Sequence, residues 1–339
     1  MRLIEDRVEA LREVGLSVEH GDDDRHRRLG SERNTFARRV VHARRPDTQA
    51  PHVLELSENG RREETRAHLA GRVGMAVAAR PTILEMTARV ELAPGVPTDW
   101  YRRIAEAEES HYWYRGMEAI TVALLGDRMY ANLRVLDAGC GAGGFIRFLL
   151  DKGRFARAAG VDLATAAIDF ASQRVPEADL RAARLTDLPF QSGSFDLAVS
   201  NDVLQHIDES EIDASLTEIR RVLTPGGSLL VRTNGSRRLR VERTDWRAYD
   251  RKTLGGQIAA AGFDIERLTY ANLVQSLVAS ALGRAPHAPT DKRHGVPSVE
   301  QGALRRTIGL RLLQAEASWL VRPGRSLPFG HTLVVLAKS

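Results

Sequence analysis

In the stretch "VLDAGCGAGG", Val135 to Gly144, an apolar run leads into Asp137, and Gly139, Gly141 and Gly143 follow within six residues, around Cys140. Glycines let the backbone turn sharply and let a ligand touch it. Cys140 is the only cysteine in the chain, and nothing near it in sequence would lower its pKa, so it reads as a small loop residue rather than a nucleophile. A carboxylate two residues before the first glycine sits badly beside a pyrophosphate. It suits a ligand carrying positive charge, such as an amino group or a sulfonium. Asp162 in "GVDLA" stands at the end of the next apolar segment, where a carboxylate can accept hydrogen bonds from both hydroxyls of a ribose. The glycines also satisfy G-x-G-x-x-G through Gly139, Gly141 and Gly144, so a dinucleotide site remains a rival, although that pattern alone is weak.

Two further groups could act on a bound molecule. "NDVLQHI" places Asp202 and His206 four apart, on one face if the segment is helical. His206 is then a candidate general base for an acceptor hydroxyl or amine, and the alternative is a packed histidine that holds a loop. "HYWYR", His111 to Arg115, reads either as an amphipathic helix laying aromatics on the core or as a lid over a cationic ligand.

The elements around these residues alternate. "LRVLDAG", "RAAGVDLA", "SFDLAVSN", "GGSLLVRT", "DIERLTYA" and "HTLVVLAKS" read as strands, while "GFIRFLLDK", "TAAIDFASQRV", "ESEIDASLTEIRRVL" and "TLGGQIAAAGF" read as helices. Such alternation predicts an α/β fold, a parallel sheet with helices on both faces. Ligands bind that architecture beyond the carboxyl ends of the strands, where Asp137 and Asp162 lie. Residues 1–98 contain no lysine, are rich in charge and read as a small N-terminal α+β appendage of unknown role, bounded by "APGVPTDW". Residues 271–330 read as a helical insertion and a candidate substrate cap, with an apolar stripe through Leu273, Val274, Leu277, Val278, Ala281 and Leu282.

Composition limits the function classes. Of 49 basic residues only four are lysines and the rest are arginines, and 44 acids are interspersed with them, so the net charge of +5 makes a poor case for a nucleic-acid partner. The lone cysteine excludes a cysteine-based zinc cluster, and no ligand spacing implies a metal. "MRLIEDRVEALREVGL" has no apolar h-region, and no run approaches the ~18 apolar residues of a transmembrane segment, so a cytoplasmic location is expected.

The long ordered pattern "VLDAGCGAGG … GVDLA … TDLPFQSGSFDLAVSNDVLQHI … EIRRVLTPGGSLLV" resembles the class I S-adenosylmethionine-dependent methyltransferases over about residues 100–339. "ESHYWYRGMEAI" and "LLQAEASWL…SLPFGHTLVVLAKS" resemble the "HWWF/Y…R" helix and the ending of a bacterial subgroup. The resemblance implies a Rossmann-like, doubly wound, mostly parallel seven-stranded sheet, with S-adenosylmethionine as cofactor. It implies that Asp137, Gly139, Cys140, Gly141 and Gly143 form the cofactor loop and that Asp162 binds the ribose. Leu163, Asp187 and Leu188 would lie by the adenine, and Asn201 beneath the methionine moiety. Tyr114 would shield the sulfonium with Trp113, and Arg115 would meet the cofactor carboxylate. Many relatives carry an acid three residues before the Asp187 position, where this chain has Arg184. The reaction expected is methyl transfer to oxygen or nitrogen of a small-molecule acceptor, in secondary metabolism or glycan or glycolipid modification. Rival readings are methylation of a lipid-linked precursor with peripheral lipid contact, an NAD(P)-dependent oxidoreductase, and a non-catalytic binding protein of the same fold.

Overall fold

A computed structural model describes residues 100–235, 247–281 and 302–339. The expected N-terminal appendage, and residues 282–301 of the expected insertion, lie outside the described residues.

The chain enters through two helices, α1 (Trp100–Ser110) and α2 (Tyr112–Leu125). His111 separates them as the N-cap of α2, its Nδ1 accepting the Trp113 N–H at 3.1 Å. That role requires a neutral ring, and burial with Arg305 nearby lowers the His111 pKa to about 4. The alternating segment then runs β1 (Leu133–Ala138), α3 (Gly144–Lys152), β2 (Phe155–Asp162), α4 (Thr165–Arg174), β3 (Asp179–Ala182), β4 (Phe195–Asn201), α5 (Ile212–Val222) and β5 (Leu223–Asn234). After it come α6 (Arg251–Ala260), β6 (Asp264–Ala271), α7 (Leu273–Ala281), α8 (Ala303–Leu320) and β7 (Thr332–Lys338). Strand β3, four residues in "EADLRAARL", is too short to give a periodic signal in the sequence.

The seven strands lie in the order β3-β2-β1-β4-β5-β7-β6. The first five are parallel, and β7 inserts antiparallel between β5 and β6. Alternate residues of the central strands face opposite ways. Val135, Leu197, Val199, Leu230, Val334 and Leu336 pack beneath α2, α3 and α8. Leu136, Ala138, Ala198, Leu229, Val231, Leu333 and Val335 pack against α5 and α6. A sheet covered on both faces by apolar side chains holds the ends of β1, β2, β4 and β5 in fixed register. The order reverses between β1 and β4, so the crevice beyond their carboxyl ends is where this topology receives a ligand.

A carboxylate-lined cavity at the strand ends

A cavity of about 250 Å³ opens at that point, walled by the ends of β1, β2, β4 and β5 and by α1 and α2. The loop after β1 is folded back onto β2. The Gly139 and Cys140 N–H groups both donate to the Val161 carbonyl at 2.8 Å. Gly139 takes φ +93°, and a side chain there would stand 2.2 Å from Val203 Cγ2. Gly141, at φ +50°, has nothing within 4 Å of where its Cβ would be, so the bare backbone faces open space. Gly143, at φ +78°, starts α3 and is not part of the wall.

Two carboxylates at strand ends face the cavity in different states. Asp162 at the end of β2 is partly exposed and already organised: Oδ2 accepts the Gly141 N–H at 2.9 Å and Oδ1 the Ala164 N–H at 3.0 Å. Each oxygen keeps a lone pair for a further donor. Asp137 at the end of β1 is buried, and its Oδ1 has no hydrogen-bond partner. Burial, with Asp162 and Glu108 near, pushes its carboxyl up to about 8 against the pull of Arg232. A buried acceptor left empty is costly unless a donor arrives. Asn201 at the end of β4 repeats the pattern, both its side-chain nitrogen and oxygen being buried without partners.

The opposite wall is helical. Trp100, Tyr101, Ile104 and Glu108 of α1 and Tyr114 and Glu118 of α2 close over the loop. Glu108 is paired with Arg174, which is buried and also donates to the Ala142 carbonyl at 3.3 Å. A Cβ on Gly144 would collide with the Glu108 carboxylate, so this glycine gives α1 room to sit down. Burial raises the Glu118 carboxyl to about 7, with the Arg115 guanidinium at 3.0 Å opposing the rise. Burial raises the Cys140 thiol far above its ordinary range, which makes it inert as a nucleophile. Arg232, near the end of β5, donates through Nε and Nη2 to Asp202 Oδ2 at 2.9 and 2.7 Å, with its guanidinium 5.1 Å from the Trp113 ring centroid. Among the described residues the wall thus carries five carboxyl groups, Glu108, Glu118, Asp137, Asp162 and Asp202, against one guanidinium. Such a cavity favours a cationic ligand that also carries hydroxyls.

A family model described as a methyltransferase domain matches residues 136–231, from β1 to β5. A probable S-adenosylmethionine-dependent methyltransferase of Mycolicibacterium smegmatis is 33% identical over 143 residues, covering 42% of this chain and 53% of the relative. A malonyl-acyl-carrier-protein O-methyltransferase of Enterobacter lignolyticus is 37% identical over 134 residues, covering 39% of this chain and 50% of that protein. The crystal structure of an S-adenosylmethionine-dependent methyltransferase from Mesorhizobium loti aligns at 18% identity and a TM-score of 0.43, covering 68% of this chain and 99% of that one. Residues 136–231 are therefore similar to a methyltransferase domain, and the relatives that align there are methyltransferases. The chain spans about half the length of the curated relatives it matches.

Not every residue expected at the methyltransferase site reaches this cavity. Asp137, Gly139, Cys140, Gly141, Asp162, Asn201, Asp202 and Tyr114 line it. Leu163 does not, and 67% of its surface is exposed beyond the end of β2. Asp187 is exposed in a turn closed on the Arg184 carbonyl. Leu188 is buried in the core behind it, with its N–H on Glu218 at 2.9 Å. Arg184 forms an ion pair with Glu211. Arg115 is exposed and paired with Glu118, and Arg232 is the guanidinium that lines the cavity instead.

The expected Asp202–His206 helical face does not exist. Asp202 takes φ +58° and His206 closes a tight turn onto the Val203 carbonyl, so the two do not share a face. His206 is exposed and off the cavity wall. The α1 side chains and Arg232 were not anticipated. Arg232 had a signal in the sequence: it is a charge inside the apolar run "LLVRT", and a buried charge in a central strand needs a partner.

Proposed function

We propose that the protein transfers a methyl group from S-adenosylmethionine to an oxygen or nitrogen of a small-molecule acceptor. The observation that carries this reading is the buried, unpartnered Asp137 carboxyl beside the open Gly141 backbone, in a wall of five carboxyl groups. A pyrophosphate would meet that wall with like charge, which weighs against a nicotinamide cofactor.

The residues fit the cofactor at three points. Asp137 would take its ammonium group, which satisfies the empty Oδ1. Asp162 would accept the ribose hydroxyls on its remaining lone pairs, and Asn201 would use its unpaired amide against the amino-acid end. S-adenosylmethionine supplies an activated methyl group on a cationic sulfur. The protein aligns the reactants and excludes water: α1 and Tyr114 close the side opposite the strands, and good alignment alone can supply on the order of 7 kcal/mol or more. Glu118 is the carboxyl on the wall poised near neutrality, and it is positioned to hold a proton from an acceptor that must lose one. His206 is assigned no proton because it stands off the wall. Residues 1–98 are proposed as a separate appendage whose removal leaves cofactor binding measurable.

Calorimetric titration with S-adenosylhomocysteine and, in parallel, NADH tests the reading. Micromolar binding of the first and none of the second is expected. NADH binding alone would overturn it.

A further inference from the structure

Helix α8 is apolar on two opposite faces. Gly309, Leu313, Glu316, Ala317 and Leu320 form the buried side, which packs on α2 and the sheet. On the other side Leu304, Ile308, Arg311, Ala315 and Trp319 follow one line at helical spacing, and all five are exposed. The exposure is large for apolar residues: 74% at Leu304, 50% at Ile308 and 41% at Trp319. Gln275 of α7 donates to the Gly309 carbonyl at 3.3 Å, which lays α7 beside the first half of α8. Leu277 and Val278, one turn or less further along α7, are also exposed.

The charged residues that this segment turns outward are basic: Arg306 and Arg311 on α8, and Arg322 and Arg325 just after it, are exposed, whereas Arg305 is hydrogen-bonded to Tyr112 of α2. The only acid between 302 and 326 is Glu316, and it is turned inward onto the Asn272 backbone N–H. At the far end Arg325 stacks over Trp319, 4.4 Å from the ring centroid, which gives an aromatic with a cationic tip. Exposed apolar residues along the length of a helix, flanked by arginines and ending in such a tryptophan, match the chemistry of an anionic lipid surface. Among the described residues no helix is long and apolar enough to cross a membrane, so the geometry is that of a helix lying on the surface.

We propose that α8, with the end of α7, docks the protein on membranes containing anionic lipid. This is independent of the methyl-transfer reading, because none of these side chains lines the cavity.

The experiment is co-sedimentation of the full chain with phosphatidylcholine vesicles, with and without phosphatidylglycerol. Binding is expected only when phosphatidylglycerol is present, weakening as salt is added. Arg306→Ala and Arg311→Ala should each weaken it about fivefold, and Ile308→Asp should abolish it. These side chains are exposed, so circular dichroism should show the fold retained. Absence of binding to phosphatidylglycerol vesicles would overturn the proposal. So would binding that Ile308→Asp leaves unchanged, including the case in which an acidic protein rather than lipid is retained on this face.

Discussion

The proton on Asp137 should make cofactor binding depend on pH, and the size follows from the geometry. Its carboxyl is buried, faces Asp162 and Glu108, and is pushed from 3.8 up to about 8, with Arg232 opposing the rise. An ammonium group can pair with it only after that proton leaves. Between pH 7.5 and pH 6 the ionised fraction of a group titrating near 8 falls about 25-fold, about 1.9 kcal/mol at ~1.36 kcal/mol per pH unit. S-adenosylhomocysteine should therefore bind about 25-fold more weakly at the lower pH. Binding should release close to one proton per ligand there. Calorimetry in two buffers of different ionisation enthalpy reads both quantities at once. His111 and His331, lowered to about 4 and about 3, titrate below this window. Glu118, at about 7, falls inside it, so Asp137→Asn is the decisive control and should flatten the profile while Glu118→Gln keeps it. The ligand-free protein supplies a sign check. A carboxyl whose folded pKa is raised lowers stability as pH climbs from the unfolded value toward 8, so the ligand-free melting temperature should drop over that range. Affinity constant within about twofold from pH 7.5 to 6, with no proton released, would refute the assignment of Asp137 to the ligand amine.

Other expectations follow from the same wall. Asp162→Ala removes the acceptor for the Gly141 and Ala164 N–H groups as well as for the ribose, and should weaken S-adenosylhomocysteine binding by about 10- to 100-fold in the same titration. With an acceptor identified by transfer of a labelled methyl group, Glu118→Gln should lower kcat more than it raises KM, whereas His206→Ala should change kcat less than about twofold. Glu108→Gln removes the closer of the two carboxylates on the buried Arg174 guanidinium, leaving Glu109 at 3.4 Å, and should cost about 2 kcal/mol of stability by denaturant titration.

Much of this arrangement is legible in the sequence. The strands carry continuous apolar runs because both sheet faces are covered, and the glycine run interrupts them where the backbone must turn and stay bare. Local pattern alone therefore points to Asp137, Gly141 and Asp162, which the structure brings to one cavity. The four-residue spacing of Asp202 and His206 puts them on one face only in a helix, and the positive φ of Asp202 followed by a turn removes that condition. Leu163 and Leu188 carry no such local signal: one is exposed beyond the end of β2 and the other is buried in the core.

The helical wall was illegible for a different reason. Glu108 meets Arg174 across 66 residues, and Arg232 meets Asp202 across 30. No periodicity encodes such pairs, because each is fixed only when the sheet brings two loops together. Their placement shows a division of labour in charge. Both buried guanidiniums, Arg174 and Arg232, already answer to carboxylates, Glu108 and Asp202, so those two acids are spent on structure. Asp162 is anchored by backbone N–H groups, which fix its position without neutralising it. That leaves Asp137 as the buried acid with neither a cation bonded to it nor a partner for Oδ1. Within this acidic wall the unmet demand for a donor is thus concentrated at the neighbouring ends of β1 and β4, on Asp137 Oδ1 and Asn201 Oδ1, and of the two Asp137 is the one whose charge favours a cationic amine.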